Sequence, residues 1–410
     1  MTRRLVASLG LVVGLTIFLH AGQGTQAAES LPPWTPGTLD IHQISTGVGN
    51  SALVVFPDGT TLLVDAGDAA ASPANVRRPD GTRGAGEWIA RYVRHALQHD
   101  ANPAIDYALI THLHGDHMGR IAPDSPTGRH GYKLSGLSEV AEFIPIRRVL
   151  DRGWPDYAYP SQVPFIEEYR KFLSWQSENG SLGVDRFEAG RSDQITLVRD
   201  AARYQNVEVR NIVVNGEAWT GVGTATRSLF PPLETLQADD YPPENSCSAA
   251  IRISYGPFTY YTGGDLTGEP QPGGPPWTDV ETAIAPIVGA VDVAVLNHHG
   301  MWDASNETFL RALRPRVIVI PASNPPHPDH DTALRITSTR IYPGPHDIFA
   351  TGVLPATRTV VGQSLREFTS TQGHVVVRVA PGGASYRVFV LDDSMESFAI
   401  TGAFGPYQSQ

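Results

Sequence analysis

The chain contains little cysteine, and it has no long apolar run beyond its first residues. Its 410 residues include one cysteine, Cys247, so no internal disulfide can form and a small buried side chain is expected there. No stretch after Leu19 is apolar for long enough to cross a bilayer, so we expect no membrane contact once the leader is removed. The hydrophobic share of 41% is sufficient for a large core.

Positive charge is also scarce. Lysine and arginine number 31 against 42 aspartates and glutamates, which gives a formal net charge of -11 at pH 7. Nucleic acids attract basic surfaces at long range, so we expect no stable nucleic-acid binding by an acidic chain. The composition weakens a nuclease hypothesis without excluding it.

The first 28 residues form a separate unit. Arg3 and Arg4 precede an apolar stretch from Leu5 to Leu19, and small residues follow at positions 25–28. This pattern predicts a secretory signal peptide over residues 1–28, because the apolar part is short for a membrane anchor. We therefore expect a secreted or periplasmic protein with one domain over residues 29–410, whose segment 121–245 is an insertion.

Apolar periodicity predicts alternating strands and helices, which indicates layers of sheet and helix. Helices are predicted over residues 87–98, 165–176, 279–288 and 307–313. The predicted strands cover residues 39–45, 52–56, 61–64, 105–110, 194–198, 207–214, 249–255, 258–262, 291–296, 317–320, 348–351, 374–379 and 385–391.

Four residues of metal-binding types follow the predicted strand 105–110 within one short loop. They are His112, His114, Asp116 and His117. Polar side chains that are buried without partners cost several kcal/mol each, so this density is explained better by a metal site than by a hydrophobic core. His112 and His114 can turn toward one ion, while Asp116 and His117 reach a second.

Two further strands end in loops with possible ligands. Asp265 follows the strand 258–262 and two glycines that permit close backbone approach, so it is suited to bridge two ions, and His298 and His299 follow the strand 291–296. Imidazole and carboxylate donors suit one or two zinc ions best, with manganese and iron as alternatives.

The segment from Thr111 to His117 resembles the His-x-His-x-Asp-His signature of the metallo-β-lactamase superfamily. Other segments are similar to the hydrolase domain of bacterial DNA-uptake competence proteins and its stand-alone secreted relatives, namely Thr46–Ser51, Leu63–Gly67, Thr262–Asp265, His298–Gly300 and Asn324–Pro328. The resemblance implies an α+β fold with four layers, an αββα sandwich.

The same resemblance implies roles for individual residues. It places a first ion on His112 and His114, and a second on Asp116, His117 and either His298 or His299. Asp265 would lie between the ions and Asp65 behind the ligands. Asp116 and His327 would serve catalysis, with His327 at the rim of the site against substrate or leaving group.

One departure from the family pattern stands out. Most members supply a third histidine to the first ion from a segment about twenty residues before the bridging aspartate. Here that segment is Glu244-Asn245-Ser246-Cys247-Ser248. Glu244 and Asn245 are the alternative donors that the sequence offers.

The resemblance implies a metal-dependent hydrolase that attacks with a metal-bound hydroxide, and a phosphodiester is our first substrate. A lactone, a β-lactam or another ester or amide is the alternative within the hydrolases. A mono-iron oxygenase on the same fold and a metal-stabilised binding protein are the alternatives from other classes. The expected partner is a small-molecule or phosphodiester substrate.

Overall fold

The computed structural model describes residues 29–69, 75–163 and 166–410. The predicted signal peptide therefore lies outside the described residues. Within those ranges, every helix is too short or too polar to traverse a lipid bilayer.

The described residues form seventeen strands and seven α-helices. The strands are β1 (Leu39–Gln43), β2 (Ala52–Val55), β3 (Thr61–Val64), β4 (Tyr107–Ile110), β5 (Arg148–Asp151), β6 (Gly183–Arg186), β7 (Val207–Val214), β8 (Glu217–Trp219), β9 (Thr226–Ser228), β10 (Ala250–Tyr255), β11 (Phe258–Thr262), β12 (Val293–Val295), β13 (Val317–Ile320), β14 (Asp347–Ala350), β15 (His374–Val379), β16 (Ser385–Leu391) and β17 (Ile400–Gln408). The helices are α1 (Ala85–Ala96), α2 (Leu137–Phe143), α3 (Glu167–Asn179), α4 (Val280–Val288), α5 (Glu307–Leu313), α6 (His330–Thr337) and α7 (Pro355–Val361).

The strands form two mixed sheets that pack face to face. The first has the order β17-β16-β15-β1-β2-β3-β4-β5-β6, and the second has the order β14-β13-β12-β11-β10-β7-β8-β9. Alternate side chains of both sheets meet in one apolar core, which includes Val54, Leu109, Ile253, Val295 and Val377. Helices α1, α2 and α3 cover the outer face of the first sheet, and α4, α5 and α6 cover that of the second. The predicted αββα sandwich is thus confirmed.

Most predicted elements are present with small changes at their ends, but the predicted strand 194–198 is wrong. Ile195 is buried against the core, as its apolar character requires. The backbone amides of Val198 and Arg199 instead donate to Thr60 Oγ1 and Asp58 Oδ2. Because side chains take these donors, the segment packs as an irregular loop and joins no sheet.

The segment 121–245 is woven into both sheets. It contributes β5 and β6 to one edge of the first sheet, and β7, β8 and β9 to the second. β7 pairs with β10 in the interior of its sheet, so this part of the segment is structural. That the segment is an insertion stays a prediction.

Two buried histidines lie beside the first sheet. His42 Nδ1 lies 3.0 Å from the Tyr92 hydroxyl, and His374 Nδ1 accepts the backbone amide of Ser45. Burial, with the charge of Arg378, lowers the pKa of His42 to about 3, and burial, with the charge of His42, lowers the pKa of His374 to about 3.

These depressed pKa values predict acid sensitivity. Below pH 6.5, the ordinary pKa of histidine, these two side chains bind protons in the unfolded chain but stay neutral in the folded chain. The free energy of unfolding therefore falls as the pH is lowered. Glu139 and Glu281 act in the opposite sense, because burial raises the pKa of each to about 7. The contribution of the histidines is therefore measured by comparing the stability of the wild type with that of a histidine variant at each pH.

We expect His374→Gln to lose less stability than the wild type between about pH 7 and about pH 4, in urea unfolding followed by circular dichroism. His330→Gln, at an exposed residue, should parallel the wild type. Equal losses of stability in the wild type and in His374→Gln would contradict the lowered pKa of His374.

Candidate metal centre

The loops that carry the predicted ligands meet at one edge of the sandwich. β3 and β4 are adjacent and parallel in the first sheet, and β11, β12 and β13 are adjacent and parallel in the second. The carboxyl ends of parallel strands lie on the same side of a sheet, so their following loops come together. Asp65, the histidine loop, Asp265, the histidine pair and His327 follow these five strands in that order.

One group of donors consists of His112, His114 and Asp265. His112 Nε2 lies 3.1 Å from His114 Nδ1 and 3.6 Å from Asp265 Oδ2. All three ligand atoms lie within 4.8 Å of one another, the spacing of donors around a single ion. This is the pair of residues predicted for the first ion, together with the predicted bridge.

A second group consists of Asp116, His117, His299 and, again, Asp265. His117 Nε2 lies 3.1 Å from His299 Nε2 and 3.0 Å from Asp265 Oδ1. His299 Nε2 lies 3.3 Å from Asp116 Oδ2. Asp265 offers one oxygen to each group, which is the geometry of a carboxylate shared between two cations.

The hydrogen bonds of the histidine Nδ1 atoms show that the second group suits a cation. His117 Nδ1 donates to Asp65 Oδ2 at 2.7 Å, and His299 Nδ1 donates to the Pro321 carbonyl at 2.8 Å. Both Nε2 atoms therefore point lone pairs at each other, which is unfavourable unless a cation or a proton lies between them. Asp265 Oδ1 is buried beside them without a hydrogen bond in the described chain. The residues present fit a divalent metal.

The side chains of the histidine pair lie near different oxygens of Asp265. Both residues have left-handed backbones, with φ of 47° at His298 and 54° at His299. His298 Nδ1 lies 2.7 Å from Asp303 Oδ1, and its Nε2 lies 3.8 Å from Asp265 Oδ2, on the side of the first group. His298 thus lies outside both donor groups, whereas His299 belongs to the second.

Asp65 fixes the orientation of the histidine loop. Its carboxylate accepts hydrogen bonds from the Thr111 amide, the Thr111 hydroxyl and the Asn50 amide, in addition to His117. The backbone behind it is packed tightly, since a Cβ on Gly67 would lie 1.8 Å from the carbonyl oxygen of Asp116. Asp65 therefore contacts His117 at Nδ1, on the opposite side of the ring from Nε2, and its role behind metal ligands stays a prediction.

The electrostatics of the centre favour positive charge. Burial alone would lower the pKa of His117, but the carboxylates of Asp265 and Asp65 raise it well above the ordinary value. Burial would raise the pKa of Asp116, yet its hydrogen bond with His299 and the charge of His117 hold it below the ordinary value. The buried carboxylates therefore favour positive charge beside the His117 ring.

Glu244, considered as an additional ligand, is engaged elsewhere. Its carboxylate accepts the Leu113 amide at 2.7 Å and pairs with Arg152, whose side chain is fully buried. The Arg152–Glu244 pair therefore holds the histidine loop in place, and Glu244 is not available as a metal ligand. Asn245 Nδ2 lies 3.1 Å from His298 Nε2, so Asn245 contacts the centre through that histidine.

His327 lies against the second group. Its ring stacks on that of His299 with centroids 4.3 Å apart, and its Nδ1 faces the backbone amides of Ser323 and Asn324 at 3.3 and 3.2 Å. Burial and the charge of His299 lower its pKa well below the ordinary value. The neutral ring therefore carries its proton on Nε2.

Asp303 and Arg152 were missed by the sequence interpretation. Asp303 lies five residues after His298, a spacing that could have indicated a partner for the ring. Arg152 follows β5 as a single arginine, and nothing in the sequence connects it to the histidine loop. Its role depends on the pairing of β4 with β5, which brings both strand ends together.

The comparison with protein families gives one match. Residues 44–123, which include the histidine loop, match the profile of the Metallo-beta-lactamase superfamily. No curated protein is similar enough in sequence to match. The architecture is that of the metallo-β-lactamase fold, which metal-dependent hydrolases and some oxygenases share. The resemblance to competence proteins stays a prediction.

Solved structures with a similar course of the chain share little sequence. A mutant of the CmlA beta-hydroxylase is 13% identical, with a TM-score of 0.36 over 84% of this chain, which spans about half (54%) of that protein. A putative metal-dependent hydrolase from Parabacteroides distasonis is 12% identical, with a TM-score of 0.34 over 76% of this chain and 92% of that one. A metallo-β-lactamase HARLDQ motif mutant from Cronobacter sakazakii is 14% identical, with a TM-score of 0.31 over 65% and 78%.

The two donor groups make a direct prediction about metal content. We expect purified protein to hold about one to two zinc, manganese or iron ions per chain by elemental analysis. Asp265→Ala should lose the most metal, because it removes one oxygen from each group, and His114→Ala should lose metal from the first group only. His330→Ala, at an exposed histidine, is the matched control. Full metal content in both site variants would refute the centre.

The contact between Asp303 and His298 makes a second prediction. Partners that orient a ligating histidine typically contribute about 10- to 100-fold to metal affinity. We expect Asp303→Asn to weaken zinc binding by about that factor in a chelator competition, because His298 loses the carboxylate that fixes its Nδ1–H tautomer and makes its Nε2 a stronger donor. Asp331→Asn, beside exposed His330, should leave affinity unchanged. An unaffected Asp303→Asn protein would mean that His298 is not a ligand.

Proposed function

We propose that this metallo-β-lactamase fold chain is a secreted metal-dependent hydrolase that cleaves a phosphodiester. The observation that carries the proposal is the position of Asp265, which offers one oxygen to each of two adjacent donor groups. A pair of divalent cations supplies Lewis acidity, activates water and stabilises both the attacking and the leaving oxygen in a displacement at phosphorus. Their holders would be His112, His114 and His298 for one, and Asp116, His117 and His299 for the other.

The remaining residues of the site orient the histidine rings or donate hydrogen bonds. Asp65 and Asp303 accept hydrogen bonds from the Nδ1 atoms of His117 and His298, which leaves the Nε2 lone pairs of the neutral rings available to a metal. His327 carries a proton on Nε2 at the edge of the second group and can donate a hydrogen bond to a leaving oxygen. The Arg152–Glu244 pair holds the histidine loop in place through the Leu113 amide.

A second candidate is a mono-iron oxygenase. It is favoured by the inequality of the groups, since the second combines two imidazoles with two carboxylates whereas the first has two imidazoles and the shared Asp265. A mixture of imidazole and carboxylate donors suits iron. One iron per chain after anaerobic reconstitution, with no hydrolysis, would select this alternative.

Export is part of the proposal. Its support is the arrangement of Arg3 and Arg4, the apolar stretch that follows them and the small residues before Glu29. Terminal sequencing of the protein recovered from culture medium or periplasm should begin near residue 29. A full-length chain that remains inside the cell would contradict this part.

A substrate screen tests the reaction. We expect the metal-loaded protein to hydrolyse bis-p-nitrophenyl phosphate, and Asp116→Asn to abolish this activity. A lactone and a chromogenic β-lactam serve as alternatives in the same screen. Hydrolysis of either of them but not of the phosphodiester would replace the proposed substrate. Inactivity on all three with zinc, manganese and iron would overturn the hydrolase proposal.

The proton on His327 makes a separate prediction. His327→Ala should retain its metal but lower kcat about 10- to 1000-fold, because a hydrogen-bond donor to the negative charge that develops in the transition state typically contributes about 100- to 1000-fold. The loss should be smaller for a substrate with a good leaving group, such as p-nitrophenolate, than for an alkyl leaving group. Equal losses on both substrates would assign His327 a structural role instead.

A further inference from the structure

A cavity of about 500 Å³ lies beside the candidate metal centre. Asn245 and Asp303 form part of its wall, and both also contact His298, at 3.1 Å from Nε2 and 2.7 Å from Nδ1. Asn245 Oδ1 is buried without a hydrogen-bond partner in the described chain. A molecule in this cavity would therefore be separated from the first donor group by a single imidazole ring.

The walls of this cavity carry negative charge and aromatic surface. Four carboxylates line it, from Asp239, Asp240, Glu269 and Asp303, and no lysine or arginine is among the lining residues of the described chain. The Asp303 carboxylate contacts only the His298 ring among ionisable groups there. Four carboxylates around one concave surface raise the local concentration of cations and repel anions.

Two aromatic side chains complete the wall. Tyr241 and Trp277 line the same cavity, and Trp277 is half-buried against Phe230, with ring centroids 5.3 Å apart. An indole face attracts an organic cation, and it does so more strongly when the cation is partly desolvated. A phosphate or a second carboxylate in this cavity would meet acidic groups without a compensating base.

We propose that this cavity binds an organic cation, an ammonium group carried by the leaving group of the substrate. The inference rests on the proposed function, since the scissile phosphodiester would lie on the donor groups while the cationic end occupies the cavity. It narrows the substrate class to zwitterionic phosphodiesters with an amino or trimethylammonium alcohol. It also argues against nucleic acids, whose repeated phosphates would face the carboxylates.

Binding can be measured without catalysis. We expect choline to bind the metal-loaded protein about tenfold more tightly than its neutral isostere 3,3-dimethyl-1-butanol, in isothermal titration calorimetry. Glu269→Gln and Trp277→Leu should each weaken choline binding about fivefold or more and leave the isostere unaffected. Asp240→Asn changes an exposed side chain, so it tests the charge contribution without risk to folding.

The control variant is Glu396→Gln, an exposed carboxylate that pairs with Arg91 outside the cavity. It should bind choline as the wild type does. Equal affinity for choline and the isostere, or no effect of Asp240→Asn and Glu269→Gln, would overturn the proposal. If the protein binds choline but hydrolyses no phosphodiester, the cation site is supported and the proposed function is rejected. If it hydrolyses a phosphodiester but does not bind choline, the proposed function is supported and the cation site is rejected.

Discussion

The site depends on one electrostatic constraint, which is that imidazole lone pairs are directed at one another in the interior. Hydrogen bonds to Asp65, Asp303 and the Pro321 carbonyl occupy the Nδ1 atoms of three histidines, so their Nε2 atoms face inward without protons of their own. Without a positive charge between them this arrangement would be repulsive. A divalent cation between the Nε2 atoms would relieve this repulsion.

The fold supplies this constraint through strand polarity. Each sheet contains a run of parallel strands, and each run ends at the edge where the two sheets face each other. The five loops that follow these strands have lengths and glycines suited to close approach, as the contact between Gly67 and the Asp116 carbonyl illustrates. Rigid strands thereby position the donors more precisely than free loops would. The backbones of His298 and His299 are left-handed and therefore strained. With this backbone, the two adjacent side chains lie near different oxygens of Asp265.

The asymmetry between the two sides of the site suggests how substrate and centre divide their tasks. The donor groups concentrate positive charge when they hold cations, which suits the anionic part of a phosphodiester. The neighbouring cavity carries four carboxylates and two aromatic rings, which suits the opposite charge. His298 separates the two environments, so a substrate with both charges would span it. Under the proposed function, this division would let an acidic protein bind an anionic bond.

The sequence by itself determined the ligand types, the family likeness and most strands, because the histidine loop, Asp265 and the histidine pair each follow an apolar run that can be recognised locally. It did not determine which histidine of the pair joins a donor group. That depended on the backbone angles at His298 and on Asp303, both set by tertiary packing. The irregular course of residues 194–198, the clamp between Arg152 and Glu244, and the acidic cavity were likewise decided by contacts between distant segments, which apolar periodicity cannot reveal.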